Sequence, residues 1–148
     1  MRMALVGTLV VAACLSGTAH ADEASAVKLI DNLGGSATRD IRLPGNPVTW
    51  VNLDNTEVRD ADLKALVALK ALTHLSLART KVTDAGLKEL AGLNGLTELV
   101  LSQSDVTDAG LKELAELKDL AFLDLSATAV TDAGLKDLAG LKLVALIQ

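Results

Sequence analysis

The sequence predicts an α/β solenoid, a stack of short coils that share a parallel sheet on one side and carry helices on the other. Three observations predict it. The block VTDAGLKELAGLNGLTELVLSQSD, which starts at Val82, begins again at Val106 and at Val130, a period of 24 residues. Within the block the apolar spacing changes from three (Leu87, Leu90, Leu93, Leu96) to two (Leu99, Leu101), a helical face followed by a strand. The chain has 148 residues, half of them apolar, yet it holds one Trp, one Phe and no Tyr. Its core must therefore be many small layers of Leu, Val and Ala rather than a few large anchors.

The first element in chain order is a leader. Arg2, the apolar run MALVGTLVVAACL and the small residues Ala19 and Ala21 fit a secretory signal peptide over residues 1–21. The run is too short for a comfortable membrane span. Cleavage after Ala21 would remove Cys14, the only cysteine, and with it any disulfide, thiolate metal site or cysteine nucleophile. The expected location is secreted or periplasmic. The alternative lies in VAAC, which ends at Cys14 and matches the pattern before a lipid-modified cysteine; lipidation there would tether the protein to a membrane.

Residues 22–47 are read as an N-terminal cap. ASAVKLIDNLGG puts Val27, Ile30 and Leu33 on one helical face and stops at Gly34-Gly35. TRDIRL then alternates as a hairpin strand, and PGNP turns the chain into the first strand of the stack. The stack itself, residues 48–148, begins with a half-repeat (48–57), continues through repeats 58–81, 82–105 and 106–129, and ends in an incomplete repeat (130–148). Counting in steps of 24 places Val144 and Ile147 in the slots of Leu96 and Leu99. Asp60, Asp84, Asp108 and Asp132 stand where a helix cap belongs, accepting free N–H groups of the first turn. Thr83, Thr107 and Thr131 precede three of them, but Arg59 takes that place in the first repeat. Gly86, Gly110 and Gly134 share a slot that Asp62 fills once, so close packing rather than a left-handed backbone explains them. A hydroxyl row, Thr56, Thr80, Ser104 and Thr128, is expected to bond backbone groups across neighbouring turns.

With its leucines at L-x-x-L-x-x-L-x-x-L-x-L and its period of 24, the stretch 48–148 resembles the leucine-rich repeat superfamily. Within it, the chain resembles the helix-bearing, ribonuclease-inhibitor-like branch and secreted bacterial proteins built from TDAGLKELA blocks. The resemblance implies a curved solenoid with strands on the concave face and helices on the convex one. It implies protein binding as the commonest role, and no particular activity.

Function is less legible than fold. A formal charge of -5 argues against a nucleic-acid partner, which wants a basic stripe. Beyond the leader the one histidine is His74, with Ser76 two residues away, and no motif supplies a third group; an enzyme is not expected. The row of four Asp could bind calcium, but each has its own helix N-terminus to neutralise it, so no metal and no cofactor are expected. The Lys88-Glu89 and Lys112-Glu113 pairs read as solvated helix face.

The outward strand positions are the candidates for binding. Alternation along the strand gives one row of Trp50, His74, Glu98, Phe122 and Leu146, and a second of Asn52, Ser76, Val100, Asp124 and Gln148. A third is Asp54, Ala78, Ser102 and Ser126. The single Trp and the single Phe fall in one row, as anchors of an interface would. The expected function is a non-catalytic module that binds a protein through Trp50, Asn52, His74, Glu98, Phe122 and Asp124. Alternatives are carbohydrate binding, with Trp50 stacking on a sugar and Asn52, Asp54 and Asp124 bonding hydroxyls, or a fragment acting as an assembly unit. In the last case a second chain would add to the C-terminal strand, whose edge is uncovered.

Overall fold

The computed structural model of the chain describes residues 17–148, with side chains from residue 23 onward. Residues 1–16, including Cys14 and most of the expected leader, lie outside the described residues. Helix α1 spans Gly17–Asn32, so the expected cleavage point after Ala21 falls within it.

Six strands form one sheet in chain order. Strand β1 (Ser36–Arg39) runs antiparallel to β2 (Val48–Asn52). Strands β3 (His74–Ser76), β4 (Glu98–Val100), β5 (Phe122–Asp124) and β6 (Ala145–Ile147) then add in parallel. Between them lie helices α2 (Asp60–Leu66), α3 (Asp84–Leu90), α4 (Asp108–Leu114) and α5 (Asp132–Leu135), the last continuing into a 3₁₀ turn over Lys136–Leu138. Each coil delivers its leucines to one core: Leu87 and Leu90 from the helix, Leu93 and Leu96 from the connection, Leu99 and Leu101 from the strand region, all buried. Full burial of such a side chain contributes roughly 1.5–3 kcal/mol, which a coil in isolation could not collect. The α/β solenoid expected from the sequence is the observed fold.

The coils are also stitched laterally. The carboxylate of Asp60 accepts from Thr83 N (2.8 Å) and Thr83 Oγ1 (2.7 Å) of the next coil. Asp84 does the same for Thr107 and Asp108 for Thr131. This corrects the expected cap: Thr83, Thr107 and Thr131 are the N-cap residues, each accepting from the backbone N–H two residues on, and the aspartates follow as the first helical residues. An aspartate at that position points along the stack, where the threonine of the following coil needs an acceptor more than its own helix does. The glycines fit this stitching. A Cβ on Gly86, Gly110 or Gly134 would press on the Oδ1 of Asp60, Asp84 or Asp108. Asp62 is tolerated in the first repeat because no such aspartate precedes it; its own carboxylate accepts from Arg59 N.

Three further expectations are corrected. The hydroxyls of Thr56, Thr80, Ser104 and Thr128 donate within their own turn, to the carbonyls of Leu53, Leu77, Leu101 and Leu125. They close the corner after the strand, where Asn55, Arg79, Gln103 and Ala127 hold a left-handed backbone. In the cap, β1 is Ser36–Arg39 rather than the TRDIRL stretch. Asp40 takes the N–H and guanidinium of Arg42 and turns the chain, leaving Ile41 81% exposed. The buried face of α1 centres on Ala26 and Ile30, with Val27 and Leu33 partly buried at its sides. Glu23 on that face is buried and pairs with Arg39 of β1, so helix and hairpin close the N-terminal end together.

The last correction is a register shift. Strand β6 pairs Ala145 with Phe122, Leu146 with Leu123 and Ile147 with Asp124. The final coil is one residue shorter than the others, since only Lys142 separates Leu141 from Leu143. Fixed counting would have sent Val144 and Ile147 inward and left Leu143 out. Instead Leu141 and Leu143 pack against the core and Val144 is 87% exposed. Leu146 and Gln148 therefore leave the outward rows, their places taken by Ala145 and Ile147.

Candidate functional site

The outer face of the sheet is built by β3, β4 and β5, whose central side chain is buried and whose flanking ones are not, and by β2, where Val51 is buried between the half-buried Trp50 and Asn52. Parallel pairing then sets equivalent residues side by side, about 4.8 Å apart. Trp50, His74, Glu98 and Phe122 are register partners across β2–β5. On the β1 side, Thr38 continues that row beyond Trp50. Asn52, Ser76, Val100 and Asp124 form the second row in the same way. Trp50 and Phe122 are both half-buried, roughly 14 Å apart by three strand spacings.

The polar groups of the face have defined partners. Thr73 Oγ1 donates to Thr49 O of the preceding coil (2.9 Å), and His74 Nδ1 lies 2.7 Å from that same hydroxyl. His74 Nε2 is 3.7 Å from Glu98 Oε2, with both side chains about two-fifths exposed. Ser76 Oγ donates to Asp54 Oδ1 (2.5 Å), and so does Ala78 N. His74 and Ser76 thus turn to different partners and form no nucleophile–base pair. Asn52 Oδ1 accepts from Asp54 N (2.8 Å), and Asp124 Oδ1 accepts from Ser126 N and Oγ. One oxygen of each is committed to its own turn.

Sequence reasoning missed the threonine ladder beneath this face. Thr73 and Thr97 each donate a hydroxyl to the carbonyl 24 residues earlier, Thr49 O and Thr73 O. The signal was there, Thr at the same slot in three coils, inside β2 at Thr49 and immediately before β3 and β4 at Thr73 and Thr97. It also missed a cavity of about 500 Å³ on the helical side, between α1 and α2, where Ala26, Leu29, Val67 and Ala68 meet Lys64 and Lys70. None of the predicted binding residues lines it. It arises because α1 is a cap helix and does not repeat the contour of the coil helices.

A family model described as Leucine Rich repeat matches residues 70–91 and 94–115, which span the α3 coil and its neighbours. The fold is a leucine-rich repeat solenoid. Solved structures similar to this solenoid include an internalin C2 of Listeria monocytogenes, at 28% identity over 64% of this chain and 40% of that one, TM-score 0.48. An internalin F of the same organism shares 19% identity over 68% of this chain and 34% of that one, TM-score 0.45. The leucine-rich repeat ectodomain of the receptor kinase SOBIR1 from Arabidopsis thaliana shares 16% identity over 82% and 76%, TM-score 0.46. The solenoid spans well under half the length of the two internalins. No curated protein matches the sequence. Among the described residues, no helix is long and apolar enough to cross a membrane.

Proposed function

We propose that the protein is a non-catalytic binding module that engages another protein through the outer face of its sheet. Trp50, Asn52, His74, Glu98, Phe122 and Asp124 are the proposed contact residues. The observation that supports this most is that the chain's one Trp and one Phe sit in a single register row outside the leucine core. Large aromatics held on a rigid sheet offer contact area at low entropic cost, which is what an interface anchor requires. Leucine-rich repeat domains commonly bind proteins, and the absence of a His74–Ser76 pair leaves the face without a recognisable nucleophile. The finer assignment, to a ribonuclease-inhibitor-like branch of secreted bacterial proteins, rests on the TDAGLKELA blocks and on the leader. A secreted or periplasmic location, or a membrane tether through Cys14, rests on the leader alone.

Carbohydrate binding is weaker because Asn52 and Asp124 each spend an oxygen on their own turn. Self-association would use β6 and the residue before it, where Leu146, Ile147 and Val144 are exposed. Fluorescence of Trp50 provides the test. Titration with an extracellular protein extract should shift its emission, and a panel of glycans should not; a shift with glycans alone would transfer the proposal to carbohydrate.

A further inference from the structure

We propose that the partner presents an extended segment carrying arginine, one guanidinium of which docks at Glu98 between His74 and Phe122. This rests on the outer sheet face being the binding surface. Three observations carry it. The first is charge sidedness. The three outward rows hold the carboxylates of Asp54, Glu98 and Asp124 and no Lys or Arg from β2 to β6. Four lysines, Lys64, Lys88, Lys112 and Lys136, lie instead on the helical side. Arg79 stands at the corner beyond β3, its Nε donating to Gln103 Oε1 (2.6 Å). A face of this sign favours a cationic partner and opposes an anionic one.

The second observation is an open carboxylate. Glu98 accepts no hydrogen bond among the described residues; His74 Nε2 stands 3.7 Å from its Oε2, beyond hydrogen-bond reach. A guanidinium carries donors in a planar fork and can give one to each carboxylate oxygen. The third is the ring next door: Phe122 is the register partner of Glu98, about 4.8 Å along the sheet, placed for a guanidinium plane to lie against it. An ammonium would satisfy the carboxylate but would lack the fork and the stacking plane, so arginine is favoured over lysine.

The test is titration of the full chain with three Gly/Ser peptides of about ten residues, roughly 33 Å when extended and so longer than the roughly 19 Å crossing of five strands. They carry several arginines, lysines or glutamates in the same positions, and Trp50 emission and calorimetry report binding at low salt. The arginine peptide should bind about tenfold more tightly than the lysine peptide, with no binding of the glutamate peptide. Glu98→Lys should weaken the arginine peptide about tenfold or more, whereas Glu116→Lys on the helical side should leave it unchanged; circular dichroism confirms that both variants fold. Equal weakening by the two variants would mean attraction to the whole acidic chain and would overturn the site. Tighter binding of the glutamate peptide, with a Trp50 response, would overturn the arginine assignment while leaving the sheet face as the binding surface. Silence of Trp50 with all three peptides would overturn the docking proposal, and the sheet face would then stand or fall on capture of its protein partner.

Discussion

Each joint between coils depends on one aspartate, one threonine and one glycine. Asp84 reaches Thr107 with two hydrogen bonds, and Gly110 leaves the space in which that carboxylate lies. In an exposed helix Ala is more favourable than Gly by about 1 kcal/mol. Here the order should reverse: Gly110→Ala should destabilise by more than about 1 kcal/mol because its Cβ displaces the carboxylate. In the Asp84→Ala background the same change should become neutral or stabilising, and a double-mutant cycle by urea denaturation measures the coupling. Asp108 adds a pH dependence. The Thr131 hydroxyl bonded to it, then the Thr131 and Gly134 backbone N–H groups, hold its carboxyl below the ordinary carboxylate value. A lowered folded value means the contribution is present above the unfolded value, near 4, and is lost as pH falls through the lower folded one. The stability gap between the native chain and Asp108→Asn should therefore narrow as pH falls from about 6 towards 3. The packing role of Gly110 was legible because Asp62 fills the same slot in another repeat. The cap was not, because an adjacent Thr-Asp pair offers two good caps and only the stack decides which one faces the next coil.

At the scale of the element, the strand divides buried from open positions residue by residue. Leu99 is fully buried between Leu75 and Leu123, and Glu98 beside it is two-fifths exposed. Leu99→Ala should cost about 2–5 kcal/mol and Glu98→Ala under about 0.5 kcal/mol, measured as denaturant midpoints. The last strand carries its own check. Leu143 packs on the core and Val144 is open, so Leu143→Ala should destabilise and Val144→Ala should have little effect. Counting by 24 gives the opposite order. The shift was encoded in the sequence as a Leu141–Leu143 spacing of two where the other coils use three. A rigid period hid it, because core packing tolerates a shortened coil better than it tolerates turning Leu143 out. The strand-face rows from β2 to β5 were legible for the converse reason, since those coils keep the full period. The hairpin was partly legible: Asp40 and Arg42 ended β1 through a local contact that alternation does not register.

On the proposed reading the whole molecule separates stability from recognition by side. Leucines, threonine ladders and Asp–Thr joints hold the stack together, while Trp50, His74, Glu98 and Phe122 line the outer face of the sheet without belonging to the core. The fold was legible because repetition states the same physical requirement several times. The partner was not, because a binding surface is specified by complementarity to a molecule absent from the chain. The central claim is that this aromatic row serves recognition and not folding. Replacement of Trp50 and Phe122 together by Ala tests it most directly, with circular dichroism and denaturation for the fold and capture of the protein partner for binding. The double variant should keep the native spectrum and cooperative unfolding, and should lose the partner that the native chain retains. Collapse of the fold would make the two aromatics part of the core and cap, and undiminished capture would place the binding surface elsewhere.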